Sequence, residues 1–236
     1  MMPVISFASS KGGAGKTTSA IIVGTTLVKT HSVTLIDADP AGRLSSWSRK
    51  GKLPERLNVI ASRGERYIHD EIAAAQKESS FVILDLEGAA TRLNAYAMGE
   101  SDLVIIPMGD EQPDAEGAIE TLAQLALEAR TLRREIPVRI LFCRTKAAVK
   151  SRLEKSLNAQ VRDKVGSFAT ELHQRTAYSS LHSLGGCLEE LNPVEVTGVK
   201  KAIENAEMFV QELLGVLDWI RAFQSNAGKG SVNHVA

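Results

Sequence analysis

Short runs of apolar residues alternate with longer stretches of mixed polarity along most of this chain. The apolar runs are rich in Val, Ile and Leu and predict strands at Val4–Ser9, Ser32–Ala38, Phe81–Leu86, Leu103–Pro107 and Val138–Cys143. Unbroken apolar runs are typical of strands in a parallel sheet that is buried on both faces. The stretches between them predict helices at Thr17–Lys29, Tyr67–Glu78, Arg92–Glu100 and Glu116–Arg134.

This alternation predicts an α/β fold, a doubly wound and mostly parallel sheet with helices on both faces. The last third has a different pattern, with predicted helices at Ser151–Lys164 and Val199–Phe223 and a short strand near Gly166–Thr170. The final residues carry Gly, Ser and Asn without periodicity. We therefore expect a single domain over residues 1–226 and an unstructured tail over residues 227–236.

A phosphate-binding pattern follows the first predicted strand, where residues 9–18 read Ser-Ser-Lys-Gly-Gly-Ala-Gly-Lys-Thr-Thr. A strand that turns through glycines into a helix points backbone N–H groups and the positive end of the helix at one spot. Lys16 supplies a positive charge for the outer phosphates, and Thr17 offers a hydroxyl ligand for Mg²⁺. The loop lies at the carboxyl end of the first strand, so the motif and the fold both indicate a P-loop NTPase. A turn that binds nothing would have no use for these lysines and threonines.

Acidic residues end two of the other predicted strands. Asp37 and Asp39 follow the second strand, where paired acids are costly unless a cation or ordered water uses them. We expect Asp37 to support Mg²⁺ and Asp39 to orient the water that attacks the terminal phosphate. A turn capped by Asp39-Pro40 explains the same residues about equally well on its own, and the phosphate-binding loop upstream favours the catalytic interpretation.

Asp85 ends the strand Phe81–Leu86 in the Walker B arrangement and is expected to hold Mg²⁺ through a coordinated water. A single acid at the end of a strand is usually only a cap, so this assignment depends on the presence of the phosphate-binding loop and of the acids after the second strand. Glu87 is a possible second acid, but a role in a solvated switch loop explains it better.

The ordinary Walker pattern has a glycine where Ser10 stands, and Lys11 follows it. This second lysine resembles the deviant Walker A motif of the ParA/MinD family of ATPases. The Asp37-x-Asp39-Pro40 element and the Asp85 strand also occur in that family's order. The chain resembles most closely the short, single-domain ParA proteins of plasmid partition, and it is similar to ParA-like proteins that bind transfer-DNA borders.

The resemblance implies a set of binding residues for ATP and Mg²⁺. The phosphate-binding residues would be Lys11, Gly12, Gly13, Ala14, Gly15, Lys16, Thr17 and Thr18. Lys11 would reach across a homodimer to the phosphates of the partner subunit, and Lys11, Lys16 and Asp39 would be the catalytic residues. Arg144 and Thr145 would lie near the adenine, with Pro193 in a loop that closes over the base. Glu87 departs from the family, which usually has a proline or a small residue there.

The resemblance also implies a function, namely ATP-dependent dimerisation and DNA binding, ended by slow hydrolysis that a ParB-like or centromere-binding adaptor stimulates. The alternatives are an accessory ATPase of conjugative transfer that binds transfer-DNA borders and a MinD-like ATPase that cycles on membranes. The apolar stretch Glu207–Phe223 has few flanking cations, so a helix packed on the sheet explains it better than a membrane anchor.

Composition adds few constraints. The chain has 236 residues with 28 basic and 28 acidic side chains, so its overall charge favours neither nucleic acid nor membrane. Cys143 and Cys187 show no metal-ligand spacing, which predicts a reducing environment. The phosphate-binding loop begins too early for a signal peptide, and no run approaches the ~20 apolar residues of a membrane span. We expect a cytoplasmic, nucleoid-associated protein.

Local basic charge is concentrated between residues 144 and 164. The candidate DNA contacts are Lys146, Lys150, Arg152 and Lys155. Such a patch suits salt-sensitive phosphate contacts without base readout. A solvated helix face is the commoner explanation of a charge run, and the family resemblance places DNA binding slightly ahead.

Overall fold

The computed structural model describes residues 2–145, 159, 161–162 and 165–230. Its strands are β1 (Val4–Phe7), β2 (Val33–Ala38), β3 (Leu57–Ala61), β4 (Phe81–Leu86), β5 (Leu103–Met108), β6 (Val138–Thr145) and β7 (Leu172–His173). Its α-helices are α1 (Lys16–Leu27), α2 (Arg43–Ser48), α3 (Ile68–Glu78), α4 (Arg92–Glu100), α5 (Gln112–Leu132), α6 (Thr176–Leu184) and α7 (Val199–Gly230). A short 3₁₀ helix covers Leu188–Glu190.

The strands form a seven-stranded sheet in the order β3-β2-β4-β1-β5-β6-β7. Every pairing between neighbouring strands is parallel. β1 lies between β4 and β5, so the loop that follows it opens at the middle of the carboxyl edge. In doubly wound sheets this edge is where ligands bind.

Helices cover both faces of the sheet, as the sequence predicts. Alternate residues of each strand point to opposite faces, so Ile5 and Leu35 join the core under α1, α2, α6 and α7. Val4 and Ile36 join the core under α3, α4 and α5. Burial on both faces explains why these strands are continuously apolar and why they were recognisable in the sequence.

The predicted strands and helices agree with the observed ones, with small shifts at their ends. Helix α5 begins at Gln112, four residues before the predicted start at Glu116. The predicted strand near Gly166–Thr170 is reduced to an isolated bridge between Ile140 and Ser167, and β7 follows at Leu172–His173. Most of the helix predicted at Ser151–Lys164 lies outside the described residues.

The sequence patterns missed three elements, β3, α2 and α6. Helix α2 has six residues, too few for helical periodicity, and the burial of Leu44 and Trp47 against the sheet stabilises it. At the other end of the chain, α7 continues through Gly230, into the segment predicted to be an unstructured tail. Residues 231–236 lie outside the described part of the chain.

Candidate functional site

The loop between β1 and α1 has the backbone geometry of a phosphate cradle. Gly13 and Gly15 adopt positive φ angles of 75° and 104°, which side chains other than glycine rarely tolerate. Gly15 is the N-cap of α1 and has no side chain to satisfy the first N–H groups of the helix. Those groups therefore remain available to an anion at the positive end of the helix.

Lys16 lies at the start of α1 and is almost completely buried, with 5% of its surface exposed. Its Nζ donates to the carbonyl oxygens of Ser9 and Lys11, both at 3.4 Å. Burial lowers the pKa of Lys16, while the nearby carboxylates of Asp85 and Asp39 oppose that shift. The loop thus curls around its own lysine and holds a partly desolvated cation at its centre.

Asp37 and Asp85 face this loop from adjacent positions on β2 and β4, where they are register partners. Asp85 is fully buried, and neither of its carboxylate oxygens makes a hydrogen bond of ordinary geometry with the described residues, although the Thr17 hydroxyl lies close enough to influence it. Asp37 Oδ2 accepts a 2.7 Å hydrogen bond from the Ser45 backbone N–H, while its Oδ1 likewise has no partner among the residues described. Two buried carboxylates with unpaired oxygens are costly, and a bound cation would stabilise both of them.

The pKa of Asp85 also indicates that its negative charge is poorly stabilised without a cation. Burial raises its pKa to about 7, and the negative charge of Asp37 adds to the shift, while the Thr17 hydroxyl and Lys16 counteract it. The described residues contain no cluster of three or more His, Cys, Asp or Glu able to hold a metal by themselves. Two carboxylates and a hydroxyl fit Mg²⁺, which keeps waters and phosphate oxygens among its ligands.

Asp39 occupies the turn that follows β2. Its carboxylate accepts a 2.9 Å hydrogen bond from Ala41 N and lies 3.4 Å from the guanidinium of Arg43. Its carbonyl closes the turn by accepting from Gly42 N at 2.8 Å. Asp39 therefore shapes a turn and also lies close enough to influence the charge of Lys16. Both interpretations of Asp39 stay open.

Lys11, the second lysine of the loop, is held inside its own subunit. Its Nζ lies 2.6 Å from Oδ1 of Asp114, a buried residue in the first turn of α5. Arg144, at the end of β6, donates to the other oxygen of Asp114 at 3.1 Å. Asp114 thus links two side chains that the family resemblance assigns to the nucleotide.

Ser10 explains the departure from the ordinary Walker pattern. Its N–H donates to Thr121 Oγ1 at 2.8 Å, and its hydroxyl donates to the carbonyl of Gly117 and to Glu120. A Cβ at Gly117 would lie 3.0 Å from Lys11 Cβ, so α5 approaches the loop closely there. The serine hydroxyl therefore adds contacts between the phosphate loop and α5 that a glycine could not make.

A cavity of about 800 Å³ extends from the phosphate loop to α6. Its walls are the loop and first turn of α1, the end of β6, the segment after β7 and one side of α6. Arg144 lines the cavity, whereas Thr145 is fully buried behind it and hydrogen-bonds to His173 at 2.9 Å. Pro193 is exposed and lies outside the lining. Lys146, Lys150, Arg152 and Lys155 fall outside the described residues.

Three residues near the site were not among the predicted site residues. Gly88 follows Asp85 by three residues, and a Cβ there would lie 3.3 Å from Lys16 Nζ and 3.5 Å from Gly12 N. Its backbone therefore closes the loop from the β4 side, and a glycine shortly after a strand-end acid was the available signal. Asp114 and His182 carry no local motif, because their partners Lys11 and Thr18 are more than a hundred residues away in the chain.

The fold and the site together define a class of protein, a P-loop NTPase with a second lysine in its phosphate loop. A family model described as "VirC1 protein" matches residues 2–221, and the chain belongs to this family. The resemblance to the ParA/MinD group predicted from the motifs is thereby confirmed.

Individual relatives agree with this assignment. The chain is 35% identical over 214 residues to a protein named ParA from Rhizobium radiobacter, which covers 90% of this chain and 96% of the relative. It is 27% identical over 207 residues to the virC1 protein of the same organism, covering 78% and 82% of the two chains. Among solved structures, an ATP complex of Cyanothece McdA superposes with a TM-score of 0.72 at 20% identity, covering 91% of this chain and 96% of the other.

Proposed function

We propose that this chain is a Mg²⁺-dependent ATPase of the ParA type, which dimerises with ATP and binds double-stranded DNA without sequence preference. Slow hydrolysis, stimulated by a ParB-like or centromere-binding adaptor, would end the DNA-bound state, and the protein would act in the cytoplasm on the nucleoid. The observation that carries the nucleotide part is the pair of buried carboxylates on adjacent strands, Asp37 and Asp85, of which Asp85 interacts with Lys16 and Thr17. Such a pair is destabilising until a cation neutralises it.

The roles of the residues follow from their positions. The loop N–H groups and Lys16 bind the phosphates, and Thr17 with Asp85 would hold Mg²⁺, with Asp37 in support. When bound, Mg²⁺ would neutralise the charge that develops on the phosphate oxygens during phosphoryl transfer. Asp39, in the turn after β2, orients the attacking water.

In the proposed dimer, each subunit would provide Lys11 as an additional cation for the phosphates bound by its partner. Lys11 lies at the mouth of the loop with about a third of its side chain exposed, so it can exchange its bond to Asp114 for an anion outside its own subunit. The relatives named ParA and virC1 support this mode of action, because they share most of their length with this chain.

A mobility-shift assay with ATP and Mg²⁺, beside a vesicle-flotation assay, tests the DNA part. We expect ATP-dependent binding to any duplex, falling steeply with salt. Changing Lys150, Arg152 and Lys155 together to Glu should abolish it without changing ATP affinity. A control with the same charge change at three exposed positions, Arg66, Lys77 and Arg92 to Glu, should bind DNA nearly normally.

The same assays distinguish the alternatives. Strong preference for a transfer-DNA border over unrelated duplex would favour the conjugative-transfer ATPase, which the sequence resemblance names beside partition. Flotation with vesicles in place of a DNA shift would favour the MinD-like alternative. The exposed Trp219 and Phe223 of α7 are the observation behind it. No helix in the described part of the chain is long and apolar enough to cross a membrane.

A further inference from the structure

The end of α6 brings a histidine into the wall of the cavity. His182 Nε2 lies 2.7 Å from Oγ1 of Thr18, in the first turn of α1, and both residues line the cavity. The described contacts of His182 show no carboxylate partner. His182 thus hydrogen-bonds to a residue of the phosphate-binding segment, with no carboxylate among its described contacts that would give it a purely structural role. Its position therefore calls for a functional explanation.

The surrounding chain holds His182 firmly in this place. Lys50, just after α2, donates from Nζ to the His182 carbonyl oxygen at 2.5 Å. Two residues after α6 ends, the Gly186 carbonyl accepts from the Trp47 indole at 3.1 Å. Gly51 packs so closely on this bend that a Cβ there would lie 2.4 Å from Gly186 N. The imidazole is therefore presented to Thr18 by a rigid support.

The hydrogen bond can prepare Thr18 for an anion. When Nε2 carries the proton and donates to Thr18 Oγ1, the Thr18 O–H is free to donate in turn towards the phosphates. Chains of this kind polarise each successive donor. When the imidazole is protonated at both nitrogens, it adds a positive charge to the same wall.

We propose that His182 is a positioning residue for the bound nucleotide, which fixes the Thr18 hydroxyl at the cavity wall and couples nucleotide binding to proton uptake. This inference rests on the proposed nucleotide site and deepens it, because it assigns a pH response to that site.

The charges around His182 give the direction of this response. Burial lowers its pKa, and the cations Lys50 and Arg43 lower it further. Lys16, Arg144 and Arg175 also line the cavity, together with the titratable His173, and none of the described lining residues is acidic. Asp39 lies 3.4 Å from the Arg43 guanidinium and offsets part of that one charge. The ring is therefore neutral near pH 7 without a ligand. A polyanion in the cavity offsets the cations, raises the pKa of His182 and so makes binding tighter as the pH falls.

The test is the dissociation constant of a fluorescent ATP analogue with Mg²⁺, measured between pH 6 and 8.5 for wild type and His182→Gln. The glutamine amide can still donate to Thr18 but does not titrate. Because the nucleotide and Asp85 also titrate in this range, the result is read as the ratio of the variant to the wild-type Kd. The ratio should be near one at pH 8.5. At low pH it should approach about tenfold for each unit by which the nucleotide raises the histidine pKa.

Further variants separate the two parts of the proposal. His182→Ala loses the donor and should weaken nucleotide binding at pH 8.5 by roughly threefold to tenfold. In a protein that already carries Thr18→Val, the His182→Ala substitution should weaken binding no further. The matched control is His69→Gln, which replaces an exposed histidine paired with Glu100. This variant should keep the wild-type pH profile of nucleotide binding.

Distinct outcomes overturn distinct claims. A Kd ratio for His182→Gln that stays constant with pH would refute proton coupling, and an additive loss in the Thr18→Val background would refute action through Thr18. A wild-type protein that binds no nucleotide at any pH would overturn the proposed function, and this inference with it.

Discussion

Lys11 Nζ and Asp114 Oδ1 lie 2.6 Å apart within one subunit, although the family resemblance assigns Lys11 to the phosphates of a partner subunit. Asp114 is buried, whereas Lys11 and Arg144 keep about a third and a half of their side chains exposed. The lysine can therefore leave for another anion, while the aspartate stays in place. If Lys11 binds phosphate in the proposed dimer, Asp114 competes with the nucleotide for this lysine.

Asp114→Asn should shift ATP-dependent dimerisation to lower protein concentration. The neutral amide keeps the shape of Asp114 but removes the charge that retains Lys11, so less free energy is needed to move the lysine. Light scattering with Mg²⁺ and ATP over a concentration series measures the change. Lys11→Ala breaks the same bond but should weaken dimerisation and prevent hydrolysis while sparing ATP binding by the monomer. If both variants shift dimerisation in the same direction, Lys11 acts only within its own subunit.

Lys16→Ala should abolish nucleotide binding while the protein remains folded. The substitution removes the main cation at the phosphate site, and it also removes a buried charge whose desolvation is costly. Fluorescent-nucleotide titration gives the affinity, and circular dichroism checks the fold. Lys77→Ala, on the exposed side of α3, is the control and should bind as wild type. Wild-type affinity in Lys16→Ala would contradict the assignment of the loop.

Asp85→Asn should stabilise the nucleotide-free protein at pH 8 and abolish Mg²⁺-dependent hydrolysis. The pKa of Asp85 is raised to about 7 from 3.8, so the folded state holds this proton more strongly than the unfolded state does. The stability of the wild type therefore falls as the pH rises from about 4 to 7 and levels off above that. Asparagine removes this loss.

Thermal unfolding at pH 5 and pH 8 measures the effect. Each kcal/mol regained at pH 8 should raise Tm by about 2–4 °C for a chain of this size, and the gain should shrink towards pH 5. Saturating Mg²⁺ and ATP should stabilise the wild type but not the variant. An equal effect of the substitution at both pH values would show that Asp85 is already ionised at pH 5.

Asp39 variants test whether this residue acts in chemistry or only in its turn. Asp39→Asn keeps an oxygen for the Ala41 N–H, whereas Asp39→Ala loses it. If Asp39 orients the attacking water, both variants should bind ATP but hydrolyse it about 10²–10⁴-fold more slowly, and their dimers should persist on DNA. Turnover and dimer lifetime are measured together.

Other results would reassign Asp39. Loss of ATP binding in both variants would place it in the Mg²⁺ shell or the fold. Normal turnover in Asp39→Asn would show that Asp39 is not catalytic and would make Glu87 the next candidate. Glu87→Gln would then be the next variant to measure.

The local sequence was sufficient for most of the sheet and for the phosphate loop. Strands such as Phe81–Leu86 are buried on both faces, so their signal is a continuous apolar run within a few neighbouring residues. The loop is equally local, since glycine geometry, Lys16 and Thr17 lie within one strand–helix connection. A pattern that depends only on neighbours in the chain can be recognised without the fold.

Contacts between distant segments needed the folded chain. Helix α2 exists because Leu44 and Trp47 are buried by other elements. The orientation of Lys11 depends on Asp114, and the contact of Thr18 depends on His182, 164 residues further along the chain. Asp37 and Asp85 are register partners only because β4 inserts between β2 and β1. Chain order specified which groups were available, and the packing of α5 and α6 against the loop set which of them meet.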